Sequence, residues 1–177
     1  MKKLLLVSAA ILAVITLFNV KANAQTPLSA TGTVPLRIVL SDAIAITMKA
    51  ADDVEFDYTT AADYQGSKTV PKTGHFTVVS NRAYKVAVKA LAFTPATSGN
   101  STVVPLNIIQ VSVGTSPTVG TFNTATLGTT DQTLVTTSPA TIAASYNINY
   151  TIPTAAALVG ITKDTYATVV TYTATQL

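Results

Sequence analysis

Phe76-Thr77-Val78-Val79-Ser80-Asn81-Arg82-Ala83-Tyr84-Lys85-Val86-Ala87-Val88-Lys89-Ala90 decides the fold class. In a strand successive side chains point to opposite faces. Tyr84, Val86, Val88 and Ala90 then share one face, and Lys85 and Lys89 lie on the other with Ala87 between them. That is the pattern of a half-buried strand. The turn-prone Ser80-Asn81-Arg82 joins it to the β-branched run Phe76–Val79. Outward from this pair the same grammar repeats. It predicts strands at Leu36–Leu40, Ala43–Lys49 (Ile44, Ile46 and Met48 on one face), Val54–Tyr58, Leu106–Val113, Gln132–Thr136, Tyr146–Ile152 and Tyr166–Thr175. In the last of these Tyr166, Thr168, Val170, Tyr172 and Ala174 share a face, as in the final strand of a sandwich. Polar loops at Pro95–Thr102 and Gly114–Gly120 punctuate the series, and the Ala-rich Thr154–Val159 allows one helical turn. No 3.6-residue apolar period is sustained beyond the N-terminus, and no βαβ alternation occurs, which excludes a parallel α/β sheet. The expectation is an all-β chain: a single Ig-like antiparallel β-sandwich of about 7–9 strands after an N-terminal signal helix.

The N-terminus has the anatomy of a secretory signal peptide: basic Lys2-Lys3, an uncharged apolar run from Leu4 to Val20, and the small-x-small site Ala22-Asn23-Ala24. Cleavage between Ala24 and Gln25 is expected, giving residues 1–24 as signal, 25–33 as an N-terminal extension or first edge strand, and 34–177 as the sandwich. The alternative is an uncleaved anchor. The charge balance follows from this division. The whole chain carries 11 Lys+Arg against 8 Asp+Glu, but Lys2, Lys3 and Lys21 belong to the signal, so the exported part is formally neutral. The basic pI near 9.2 is thus a targeting feature and gives no support to nucleic acid or an anionic membrane as partner. There is no cysteine, which excludes disulfides and thiol catalysis and leaves the core to stabilise the domain. Thr supplies 31 of the 153 residues from Gln25 onward. Such a neutral, Thr-coated surface suits an extracellular layer or packing against copies of the same chain.

The longest pattern lies just beyond the cleavage site. Leu28, Ala30, Gly32, Val34, Leu36, Ile38 and Leu40 occupy every second position, a stripe about 40 Å long if extended. Pro35 lacks an N–H for a ladder. Pro27 has the same parity, so both missing donors lie on one side and the opposite edge keeps its full set. The segment is read either as the chain's own first edge strand, the favoured reading, or as a strand donated up to about Val34 to a neighbouring subunit. In the second case Leu28, Ala30, Gly32 and Val34 carry the assembly.

Reactive groups are sparse. His75 is the only imidazole, no Gly-x-Ser-x-Gly elbow occurs, and a lone histidine beside a turn is read as structural or solvated. One His and no Cys argue against zinc or copper. Asp52, Asp53, Glu55, Asp57 and Asp63 gather within twelve residues. Glu55 and Asp57 alternate with Phe56 and Tyr58, so the cluster is read as a solvated strand face, with Asp52, Asp53, Glu55 and Asp57 as weak calcium candidates. No catalytic residue and no cofactor are expected.

Three stretches carry a resemblance: Val34-Pro-Leu-Arg-Ile-Val-Leu-Ser-Asp-Ala-Ile-Ala-Ile46, Phe56-Asp-Tyr-Thr-Thr-Ala-Ala-Asp-Tyr64, and Tyr166-Ala-Thr-Val-Val-Thr-Tyr-Thr-Ala-Thr175. They resemble small exported β-proteins of Bacteroidetes-type bacteria and, more loosely, the Ig-like domains of spore-coat-U and chaperone–usher fimbrial subunits. The resemblance implies a surface or fibre role. The sequence expectation is therefore a secreted, periplasmic or cell-surface bacterial protein, structural or adhesive and not an enzyme. Its partners would be copies of itself or other surface proteins, without nucleic acid and without membrane after cleavage. The alternative is a monomeric carbohydrate- or protein-binding module, which needs Tyr58, Tyr64 and Phe93 together on the surface.

Overall fold

The fold is taken from a computed structural model that describes residues 28–177. The expected signal helix and the Ala24/Gln25 cleavage site lie outside the described residues. The chain divides into two units, Met1–Val39 and Leu40–Leu177. Within the first, residues 28–39 carry neither helix nor strand and are exposed.

The second unit is all-β. Its strands are β1 (Ile44–Met48), β2 (Lys68–Ser80), β3 (Tyr84–Ala90), β4 (Thr94–Pro95), β5 (Gln110–Val113), β6 (Thr121–Phe122), β7 (Ala125–Thr126), β8 (Gln132–Ser138), β9 (Thr141–Ile152), β10 (Tyr166–Ala167) and β11 (Val170–Gln176). Single 3₁₀ turns at Ala61–Tyr64, Leu106–Ile108 and Ala156–Leu158 interrupt them. One large sheet has the order β1-β2-β9-β5-β7 and the other β11-β3-β8-β6, β10 and β4 form a separate two-stranded ribbon, and every pair is antiparallel. The seven strands of four residues or more form the sandwich. In Ig lettering, β1-β2-β9-β5 is A-B-E-D, and β11-β3 is F-C. β8, which leads from D towards E, pairs with the far side of C. Among the described residues no strand takes the place of G beyond β11.

The inward faces are those the alternation predicts. Tyr84, Val86, Val88 and Ala90 of β3 are buried, as are Phe76 and Val78 of β2 and Tyr146, Ile148, Tyr150 and Ile152 of β9. The Val, Ile and Phe side chains among them each contribute about 1.5–3 kcal/mol when fully buried. A one-residue slip of β3 would expose its whole set, so the register is strongly fixed. β2 and β3 lie in different sheets, so residues 81–83 form a corner. Asn81 closes that corner. Its Oδ1 accepts from the Ala43 N–H and from Gln176 Nε2, both at 2.9 Å, and its Nδ2 donates to the Ser41 carbonyl at 2.8 Å.

Five expectations change. The predicted strand Tyr166–Thr175 splits into β10, which pairs with β4, and β11, which pairs with β3. The strand at Leu36–Leu40 does not form. Val34, Leu36 and Leu40 stay 86–90% exposed, because among the described residues no second strand pairs with this stretch and Pro35 lacks a donor. Val54–Tyr58 is extended, with Val54, Phe56 and Tyr58 half-buried against the core. Among the described residues, however, no backbone–backbone hydrogen bond reaches residues 53–58; instead Lys72 and Lys68 donate to the carbonyls of Asp53 and Asp57. Leu106–Val113 splits into a 3₁₀ turn and the short β5. β2 begins eight residues before Phe76, through Pro71, which is tolerated because β1 pairs only with Phe76–Ser80 and leaves the other edge of β2 unladdered at Pro71.

Candidate functional site

Two features stand out: an open sheet edge at β11 and a buried polar relay beneath it. The open edge follows from hydrogen-bond parity. In an antiparallel pair alternate residues direct both backbone groups to the partner strand. The Leu177 N–H donates to the Ala83 carbonyl and the Leu91 N–H donates to the Val169 carbonyl. Odd-numbered residues of β11 therefore face β3. Val170, Tyr172, Ala174 and Gln176 direct their N–H and C=O groups to the outer edge, where no described strand pairs with them. Tyr172 is buried beneath that edge, and Val170 and Ala174 are half-buried. The edge strand β1 of the opposite sheet approaches β11 here. By the same parity, Asn81 N–H to Ala43 and Lys49 N–H to His75 place the free backbone groups of β1 on Ile44, Ile46 and Met48. Ile46, Val54, Phe56, Val170 and Ala174 all pack on the core without being fully buried.

The relay begins at a bulge. Pairing of β2 with β9 breaks between Lys72 and Phe76, and Gly74 sits at φ 60° with its N–H held by Asn147 Oδ1 at 2.8 Å. A bulge built on a left-handed glycine re-aims the next side chain. Here it turns His75 inward beside Phe76, so two consecutive residues are buried. His75 is 5% exposed. Its Nδ1 lies 2.7 Å from Asp52 Oδ2 and its Nε2 lies 2.9 Å from the Tyr150 hydroxyl, which in turn lies 2.6 Å from the Tyr172 hydroxyl. With Nδ1 protonated, the Tyr172 hydroxyl donates to Tyr150, Tyr150 donates to Nε2, and Nδ1–H donates to Asp52. The hydrogen bond from His75 holds the Asp52 carboxyl below its ordinary range against the opposing effect of burial, with the nearby Lys49 and Lys72 ammonium groups adding favourable charge. Burial pushes the Tyr150 phenol up to about 12. It also pushes Tyr172 upward, reinforced by Tyr150. The connectivity has the order of a Ser-His-Asp triad, but its hydroxyls are buried phenols held in the neutral form. The relay ties four elements together: the extended segment through Asp52, β2 through His75, β9 through Tyr150 and edge strand β11 through Tyr172.

The remaining sequence candidates are dispersed. Of the calcium candidates, Asp52 points to His75 while Asp53, Glu55 and Asp57 are exposed on the other face of the segment. Among the described residues no three His, Cys, Asp or Glu side chains form a metal-binding group. Asp63 caps the turn at Ala61–Tyr64 through Thr59 and Thr60 and pairs with Lys68 at 2.9 Å. Tyr58 and Tyr64 come together with ring centroids 5.1 Å apart, whereas Phe93 packs separately against the core. The Tyr58 hydroxyl is buried without a hydrogen-bond partner. A shallow apolar depression of about 410 Å³ between Ala92, Val103, Leu106 and Leu127 contains no titratable group. Of the donation candidates, Leu28, Ala30, Gly32 and Val34 are all exposed. Sequence reasoning reached His75 but missed its partners Tyr150 and Tyr172. The one signal for them was parity, since each falls on the inward face of its predicted strand. No protein-family model matches the chain, and no curated protein is similar to it.

Proposed function

We propose that this chain is an exported, non-catalytic structural or adhesive protein of a bacterial cell surface whose copies assemble by strand addition. The observation that carries the reading is a pair of complementary unpaired features in one molecule. One is an exposed segment with seven alternating apolar positions from Leu28 to Leu40. The other is an Ig-like sheet whose edge strand β11 has, among the described residues, no partner where G would stand. Each is costly alone, since a free edge invites pairing and an apolar stripe in water forgoes its burial energy. Strand addition between copies resolves both. The Thr-rich composition, with charged residues at only 11% of the chain, is compatible with close packing of copies. The test compares the exported full-length chain with Leu28→Asp/Val34→Asp by size exclusion and electron microscopy. Oligomer ladders or filaments that vanish in the variant support assembly, and two equally monomeric proteins refute it. The Tyr58–Tyr64 ring pair, with Tyr64 exposed, favours a second reading as a monomeric carbohydrate-binding module. That reading requires glycan binding by the monomer that Tyr64→Ala abolishes.

A further inference from the structure

We infer that residues 28–34 of one copy add antiparallel to the outer edge of β11 in another, in the register that sets Ala30 opposite Ala174, Gly32 opposite Tyr172 and Val34 opposite Val170. This rests on the assembly reading above and deepens it by fixing the edge, the direction and the register.

Hydrogen-bond parity fixes the edges. The unpaired groups of β11 belong to its even-numbered residues. On the segment, Pro27 and Pro35 remove donors from the odd-numbered side only, so its complete edge is the even-numbered side. An antiparallel ladder joins residues that exchange both bonds, and the two complete edges match even to even. Residues opposite each other project their side chains to the same face. The apolar stripe Leu28, Ala30, Gly32 and Val34 therefore turns inward beside Val170, Tyr172 and Ala174. The half-buried Ile46, Val54 and Phe56, on β1 and the segment after it, then gain cover across the sandwich.

Side-chain size fixes the register. Tyr172 is 8% exposed, its ring centroid lies 4.8 Å from that of Phe76, and its hydroxyl is held by Tyr150. It cannot swing aside for a large neighbour. The chosen register gives it Gly32, the one residue of the stripe without a side chain, and leaves Ala against Ala and Val against Val. A shift of two residues in either direction puts Ala30 or Val34 against Tyr172 instead.

The chain contains no cysteine, so cross-links report the register directly. Facing residues in a hydrogen-bonded antiparallel pair have Cα atoms about 5.5 Å apart, within disulfide range. Mixing exported Ala30→Cys with exported Ala174→Cys under mild oxidation should yield the hetero-disulfide. Mixing Val34→Cys with Ala174→Cys should not, because those positions are offset by four residues, about 14 Å. Cross-linking of the second pair in preference to the first overturns the register. Filaments with neither cross-link overturn the β11 edge while the assembly reading stands, and absence of any assembly fails that reading first. Gly32→Val provides a check without cysteines. No atom outside its immediate chain neighbours lies within 4 Å of a Cβ placed at Gly32, so the monomer should fold unchanged and assembly should be lost. Undiminished assembly of Gly32→Val contradicts the placement opposite Tyr172.

Discussion

Tyr150→Phe removes the central link of the relay. The ring and its packing remain, but His75 Nε2 and the Tyr172 hydroxyl each lose their partner, at positions 5% and 8% exposed. A buried polar group left unsatisfied costs about 1–3 kcal/mol, so two of them give a loss of about 2–6 kcal/mol. Tyr172→Phe is milder, at about 1 kcal/mol, since Tyr150 still donates to His75. The double variant is the informative one. Once Tyr172 has no hydroxyl, Tyr150→Phe orphans only His75 Nε2, and the pair should cost less than Tyr150→Phe alone. The double variant then costs about 1–3 kcal/mol less than Tyr150→Phe alone and about 2–4 kcal/mol less than the sum of the two single costs. Urea unfolding followed by far-UV circular dichroism and tyrosine fluorescence measures it, the chain having no tryptophan. Additive costs, or a Tyr172→Phe variant less stable than Tyr150→Phe, would refute the relay as the unit that ties β2 to β9 and β11.

Other perturbations have equally direct outcomes. Asp52 titrates below its ordinary value in the folded chain, first through the hydrogen bond from His75. Its contribution is therefore fully present above the unfolded value of about 3.9 and lost as pH falls through the lower folded value. Urea midpoints measured from pH 6 to pH 2 should decline in the acid range, and Asp52→Asn should flatten part of that decline. The half-buried Asp63 and Asp164 are also lowered, first by hydrogen bonds from Lys68 and Asn100 respectively, and supply the remainder. Gly74→Ala places a side chain at φ 60° and should cost about 1–2 kcal/mol. Gly66→Ala, with no φ strain and open space around it, should stay within about 0.5 kcal/mol. Asn81→Ala removes the side chain that joins Ser41 and Ala43 to Gln176 and should lower stability by about 1–3 kcal/mol, read as a shifted urea midpoint with an unchanged slope.

The fold was legible where a strand's two faces differ. β3 reads correctly because Tyr84, Val86, Val88 and Ala90 are buried while Lys85 is exposed, and that contrast is written in the residue types. The start of β2 was not legible, because Lys68, Pro71 and Lys72 suggest a loop. The strand forms there because β9 supplies a ladder on one side and lysine ammonium groups replace it on the other. At Leu36–Leu40 the alternation describes what the segment can pair with, and pairing needs a second strand. The relay joins residues 23, 75 and 22 positions apart, through a bulge that breaks the alternation used to place side chains. His75 reads from the sequence as structural or solvated; it is buried and hydrogen-bonded at both ring nitrogens, and that burial depends on the bulge at Gly74, which shows only in the register with β9.

The most direct test of the central claim is amide hydrogen exchange at Val170, Tyr172, Ala174 and Gln176, compared between assembled protein and the Leu28→Asp/Val34→Asp variant. The account predicts slow exchange at these four positions in the assembly and fast exchange in the variant, with Thr171, Thr173 and Thr175, already bonded to β3, slow in both. Fast exchange at the four even positions in assembled protein would contradict it.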